Sequence, residues 1–206
     1  MNAGLKKNSD QRLSVFTRVR ILPMKTIFDP WTQVKTVHGL AADEVISALQ
    51  KEIRRGNVEN ACMLAYEMVS TSEDLERKLW DRLCVISVED VGFGAPDAPT
   101  LIDALERMTH RYRYGEGDRA LFAVHAARYL ALQQKDRSSD ELLNWMKREV
   151  EQNGAHPTIP DYAIDMHTAR GQAMGRDVRH FLDVGAQVSP ELADRERTYR
   201  DRLLSG

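Results

Sequence analysis

A chain of 206 residues, 42% hydrophobic and 29% charged, can enclose a sizeable core, which excludes disorder throughout. A formal net charge of −2 excludes a globally basic footprint, so any contact with nucleic acid would need a local patch. The start lacks the unbroken apolar stretch of a signal peptide and no run is long enough to span a bilayer, so the expected location is the cytoplasm.

Residues 1–41 show no helical period and read as an irregular, partly ordered arm. Its first part is basic (Lys6, Lys7, Arg12, Arg18, Arg20, Lys25), which suits a solvated tail or a nucleic-acid contact, and Met24 offers an alternative start. Phe28-Asp29-Pro30-Trp31 places two aromatics around a turn former, ready to pack on the body. Regular helices are expected from Asp43, read as an N-cap, with Val45, Ile46, Leu49 and Ile53 as an apolar stripe and Gly56 as the stop. Asn57 offers a cap for a second helix carrying Ala61, Leu64, Ala65 and Met68, and Thr71-Ser72-Glu73 starts a third.

In Leu79 to Pro96 the apolar residues Leu79, Trp80, Leu83, Cys84, Val85, Ile86, Val88 and Val91 fall on every face of a helix, which predicts a central helix enclosed by its neighbours. Cys62 and Cys84 have no metal-ligand spacing and read as reduced core thiols. Asp97-Ala98-Pro99-Thr100 opens a helix ending near Tyr112, Gly115 and Gly117 break the chain, and Asp118 to Gln133 reads as a second buried helix. Ser138…Glu141 is a capping-box pattern for a helix ending at Gly154. After Pro157 and Pro160 the texture turns Gly- and Arg-rich, and Ser189-Pro190-Glu191 starts a charged terminal helix over 192–204. No segment alternates with a period of two, so the expected fold is all-α, a bundle of about seven or eight helices. The expected organisation is an arm over 1–41, a helical core over 42–155, and a segment over 156–206 packed on that core.

The chemistry is sparse. No GxxxxGK[ST], HExxH, paired CxxC or GxSxG occurs, so no nucleotide cradle, metal set or elbow nucleophile is expected, and neither cofactor nor metal. Gly92-Phe93-Gly94 and Gly115-Glu116-Gly117 read as turns, and His110 and His125 stand alone. Two constellations remain. Glu89-Asp90 lies at the carboxyl end of a helix, where the dipole disfavours carboxylates, and reads either as a clamp for an arginine or as an acid/base pair. His167, Arg170, Gly171, Gly175, Arg176, Arg179 and His180 form the other. Its glycines admit a close backbone, and its arginines suit either internal ion pairs or an anion or DNA contact.

Ile46-Ser47-Ala48, Lys51, Ile53-Arg54, Ala61 to Met68, Arg82-Leu83, Glu89-Asp90-Val91-Gly92 and Ala95-Pro96 together resemble a known family. It is the C-terminal domain of the clamp-loader-like AAA+ ATPases of the replication-associated recombination protein A, MgsA and Werner-helicase-interacting protein group. The match runs from Ala42 to Pro96 and more weakly over Asp118 to Ser139, with Lys51, Arg54, Arg82 and Gly92 as its motif residues. The resemblance implies an all-helical module that mediates homo-oligomerisation, as a tetramer, behind a DNA-dependent ATPase at stalled replication forks. The departures are plain. The 206 residues hold no AAA+ core, Walker motif or arginine finger, so no ATPase activity is expected. The family's Arg-Gly-Ser is Arg54-Arg55-Gly56 here, and the HTxxGxxxGR pattern from His167 to Arg176 resembles short stand-alone relatives. The expected function is a non-catalytic oligomerisation or adaptor module in DNA replication or repair, with itself, DNA or a separate ATPase as partner. Two alternatives stay open: DNA binding through Arg170 to Arg179, and an enzyme using Glu89 and Asp90 with His167 or His180.

Overall fold

The structure is a computed structural model that describes residues 29–205; the basic stretch up to Lys25, Met24 and Phe28 lie outside the described residues. The described chain is all-α, its one extended pairing being an isolated bridge between Lys35 and Ala41. Contacts divide it into two compact units, one ending at Arg137 and the other beginning at Ser138.

The first unit is built on α1 (Ala42–Arg55), α2 (Val58–Thr71), α3 (Glu73–Ile86), α4 (Ala98–Thr109) and α5 (Gly117–Leu132). Ala42, Val45, Leu49 and Ile53 recur at helical spacing, and all four are buried on one side of α1. Asp43 falls in the first turn, where its charge faces the positive end of the dipole, and Ala41 occupies the cap position without a side-chain bond. Gly56 ends the helix at φ +73°, a left-handed conformation that glycine adopts without a Cβ penalty. Helix α2 presents the small residues Ala61 and Ala65, and packs most extensively on α5, whose buried face is Ala123, Ala126, Ala127, Leu130 and Ala131. Alanine on both sides lets the two backbones approach closely. Before α1, residues 34–42 are tied to α2 through the buried Glu67, which accepts from His38 N at 3.2 Å and His38 Nδ1 at 2.6 Å.

Helix α3 starts where Ser72 Oγ accepts from Leu75 N at 3.1 Å. Leu75, Leu79, Leu83 and Ile86 are fully buried, and Trp80 is 2% exposed. The expectation of an enclosed helix needs correction. Helix α3 packs on α1, α2, α4 and α5 from one side only, which leaves Val85 at 42% exposure and Val88, in the turn that follows it, at 52%. Cys62 and Cys84 are free and half-buried rather than fully enclosed, and burial raises both thiols above their ordinary range. The helix then widens into a π-helical turn (Ser87–Val91), followed by a 3-10 turn (Gly92–Gly94).

Residues 133–137 cross these turns backbone to backbone. Asp136 N donates to the carbonyls of Asp90 and Val91 at 3.1 and 3.2 Å. A Cβ on Gly92 would lie 2.4 Å from Asp136 O, and one on Gly94 would lie 2.4 Å from Gln134 O. Lys135 Nζ turns back to donate to the Leu130 and Ala131 carbonyls at 3.0 and 3.1 Å, closing the end of α5; burial lowers its pKa, partly offset by the Asp90 charge.

In the second unit α6 (Ser138–Asn153) has no buried residue. Thr168 Oγ1 caps α7 (Ala169–Ala173) by accepting from Gly171 N, and a Cβ on Gly171 would lie 1.8 Å from Asp165 O, so this glycine does admit a backbone. Gly175 does not. At φ +71° with open space around it, it serves as a chain reversal instead. Asp177 caps the single turn α8 (Val178–His180), which continues into a π-helical turn (Phe181–Gly185). The expected helix over 192–204 is confined to α9 (Thr198–Ser205). Glu191 draws Arg195 and Arg197 onto its two oxygens, and the Glu196 carboxylate takes the Thr198 N–H, so residues 191–197 satisfy one another in turns before the helix begins.

Gly94→Ala tests the backbone crossing. It should lower the unfolding free energy by about 1–3 kcal/mol in urea, as forced backbone shifts do, whereas Gly117→Ala, with nothing near its Cβ, should not destabilise the chain.

Candidate functional site

The π-helical turn places Glu89 and Asp90 where α1, α3 and the 133–137 crossing meet. Asp90 is fully buried. Its Oδ1 accepts from Arg54 Nε and from Arg137 Nη1, the latter at 2.6 Å, and its Oδ2 accepts from Gln50 Nε2 at 2.9 Å. Glu89 is partly exposed and bridges the same two arginines, with 3.2 Å to Arg54 Nη2 and 3.2 Å to Arg137 Nη1. Gln50 passes the chain of bonds on, because its Oε1 accepts from Arg82 Nη2, while Arg82 Nε is buried without a partner. Two guanidiniums thus converge on two carboxylates, and a third is tied to them through Gln50.

The local cause is helical spacing. Ser47, Gln50, Lys51 and Arg54 share one stripe of α1, and the wide π turn holds Asp90 beneath it. Lys51 is exposed and donates to Ser47 Oγ, flanking the stripe. Lys51, Arg54, Arg82 and Gly92, which the resemblance singled out separately, are therefore gathered in one region. Gln50, Arg137 and the buried Glu76–Arg119 pair were missed. Arg137 lies 47 residues from Asp90, and nothing in the local sequence of either announces the other.

Burial alone would raise the Asp90 pKa, and the bonds from Arg54, Gln50 and Arg137 outweigh it, so the carboxyl sits below its ordinary value. Ionised at neutral pH with its oxygens already taken, Asp90 holds no proton to donate. The arrangement suits fixing three arginines in place. Among the described residues no group of three His, Cys, Asp or Glu side chains could hold a metal ion.

The second constellation lies in the second unit. Arg176 is bound to Asp161, with both carboxylate oxygens 2.7 Å from Nη2 and the Asp161 carbonyl 2.7 Å from Nη1; the Ile164 carbonyl also accepts from it. His167 Nδ1 lies 3.1 Å from Asp165 Oδ1, and its ring meets Phe181 edge-on at 5.0 Å. Arg179 Nε stands 3.9 Å from Asp183 Oδ2. His180 Nδ1 is buried without a partner. Arg170 is exposed, and among the described residues no hydrogen bond or ion pair engages it. The pattern His167 to Arg176 thus closes a small structural knot through Arg176 and leaves Arg170 and Arg179 at its surface.

Residues 56–185, more than half of the chain, match the family model described as MgsA AAA+ ATPase C terminal. No curated protein matches the chain.

Asp90→Asn should lower stability at pH 7 by about 1–3 kcal/mol, because it removes a charge that two partly exposed arginines share with Glu89. The sign with pH follows from the lowered native pKa. The stability that Asp90 adds is complete above the unfolded value near about 4 and is lost as pH falls through the native value. Urea titrations at pH 7, 4 and 2 should therefore show the difference between native chain and Asp90→Asn shrinking towards acid.

Proposed function

The chain belongs to the MgsA AAA+ ATPase C-terminal family, and on that premise we propose that it works as a non-catalytic assembly module whose first partner is a second copy of itself. The observation that carries this reading is α6. Leu142, Leu143, Met146 and Val150 fall on one face of this helix at spacings of one, three and four residues, with Trp145 beside them, and all are 43–58% exposed. A 16-residue amphipathic helix with no buried residue leaves a continuous apolar face in water, and burying such a face at about 25 cal/mol per Å2 is a general driving force for association.

The acidic pair supports the same reading from the other side. The conspicuous charges of the first unit are spent on holding α1, α3 and the 133–137 crossing together, which suits a rigid scaffold. We place the module in DNA replication and repair, assembling as a tetramer and serving as an adaptor for a separate ATPase, in line with the family of AAA+ ATPases to which its domain type belongs.

Light scattering coupled to size exclusion, at low and moderate salt, tests the proposal. The native chain should elute as a discrete oligomer at micromolar concentration, and Leu142→Glu with Met146→Glu should give a monomer with unchanged helical circular dichroism. A native monomer would overturn the reading. Forked DNA added to the same run asks whether assembly needs it.

A further inference from the structure

We propose that a cleft of the first unit, formed by α3, α4 and α5, binds a basic side chain, an arginine or lysine, presented by a partner protein. This site is independent of the α6 face. The cleft encloses about 240 Å3, smaller than ordinary cofactor sites and suited to a single long side chain. Helix α3 contributes Glu73, Glu76 and Trp80 to it, α4 contributes Glu106, and α5 contributes Arg119.

The cations in its wall are already engaged. Arg119, 12% exposed, holds both oxygens of the buried Glu76 at 3.0 and 3.2 Å and donates to the carbonyls of Thr109 and Tyr112 at 3.1 and 2.7 Å. Arg77 bonds Asp74 at 3.0 Å. Among the described residues no cation is bonded to two of the lining carboxylates, Glu73 and Glu106. Among the described residues, the hydrogen bond that reaches the Glu106 carboxylate comes from the Cys84 thiol, at 4.0 Å. Burial lifts the Glu106 carboxyl above its ordinary value, the charge of His110 on the rim draws it back, and the nearby Asp81 and Asp103 raise it further. An acidic surplus in a partly enclosed place attracts a cation and repels phosphates and carboxylates.

A second feature narrows the class. Trp80 lines the cleft at 2% exposure, and its indole Nε1 is buried without a hydrogen-bond partner. A bare cation offers that donor nothing. A basic residue within a polypeptide offers a charged head to Glu106 and Glu73, an aliphatic stem and ring contact to Trp80, and a main-chain carbonyl as the acceptor.

The indole N–H signals of Trp31, Trp80 and Trp145 in a nitrogen-15 spectrum of the full chain give a direct readout, with Trp80→Phe assigning the one that matters. The probe is Nα-acetyl-arginine amide, and the control is its neutral isostere, Nα-acetyl-citrulline amide. The arginine probe should shift the Trp80 signal saturably at millimolar concentration, leaving those of Trp31 and Trp145 in place, and the citrulline probe should not. Glu106→Gln should weaken the response about tenfold or more, the loss of one charge-assisted hydrogen bond, with an unchanged or higher melting temperature because it removes a carboxylate without a partner. A Trp80 signal that stays still, an equal shift with citrulline, or an undiminished response in Glu106→Gln would each overturn the proposal.

Discussion

Burying the Asp90 carboxylate is the constraint on which the first unit turns. An ion out of water costs several kcal/mol unless its oxygens are satisfied, and here satisfaction comes from one helix, α1, and a crossing segment far from it in sequence. Arg54 and Gln50 fix the rotation of α1 against α3. Arg137 fixes the last residue of the crossing. The π turn is part of the same arrangement, since it places the carboxylate within reach of donors on both sides. Alanine packing joins α2 to α5 at one seam of an apolar core filled by Leu49, Ile53, Leu79, Leu83 and Ile102, beside the ionic centre.

What could be read from the sequence divides along the line between local and distant causes. The stripe of α1, its stop at Gly56 and the Ser72 cap are governed by residues within one or two turns, and the structure shows them as the spacing implies. The enclosed appearance of Leu79 to Pro96 misled because apolar residues on every face say nothing about which face has neighbours; Val85 and Val88 face water. The terminal helix was overextended because Glu191, Arg195 and Arg197 look like helical surface charges and instead form a turn among themselves. Glu89-Asp90 could be singled out as needing a partner, yet the partners themselves could not be named. Arg137 becomes visible only when the chain is folded.

The glycine and arginine segment shows the same limit. Its spacing allowed both an ion-paired knot and an anion surface, and the chain uses Arg176 for the first while Arg170 and Arg179 remain outside. The two readings are compatible, one for each subset of arginines. Among the described residues, Glu89, Asp90, Arg54, Arg137 and Arg176 are engaged in ion pairs, while α6 carries an apolar face and α3 and α4 carry an acidic cleft.

The crossing of residues 133–137 over Gly92 to Gly94 is a contact between two main chains, made at the two positions that carry no side chain, Gly92 and Gly94. Its tolerance to change is therefore lopsided. Gln134 can be exchanged widely, since only its carbonyl takes part, whereas Gly92 and Gly94 admit nothing larger than hydrogen. Drift at this seam would accumulate on one segment and stall on the other, and a sequence that altered either glycine would need a different path for the crossing.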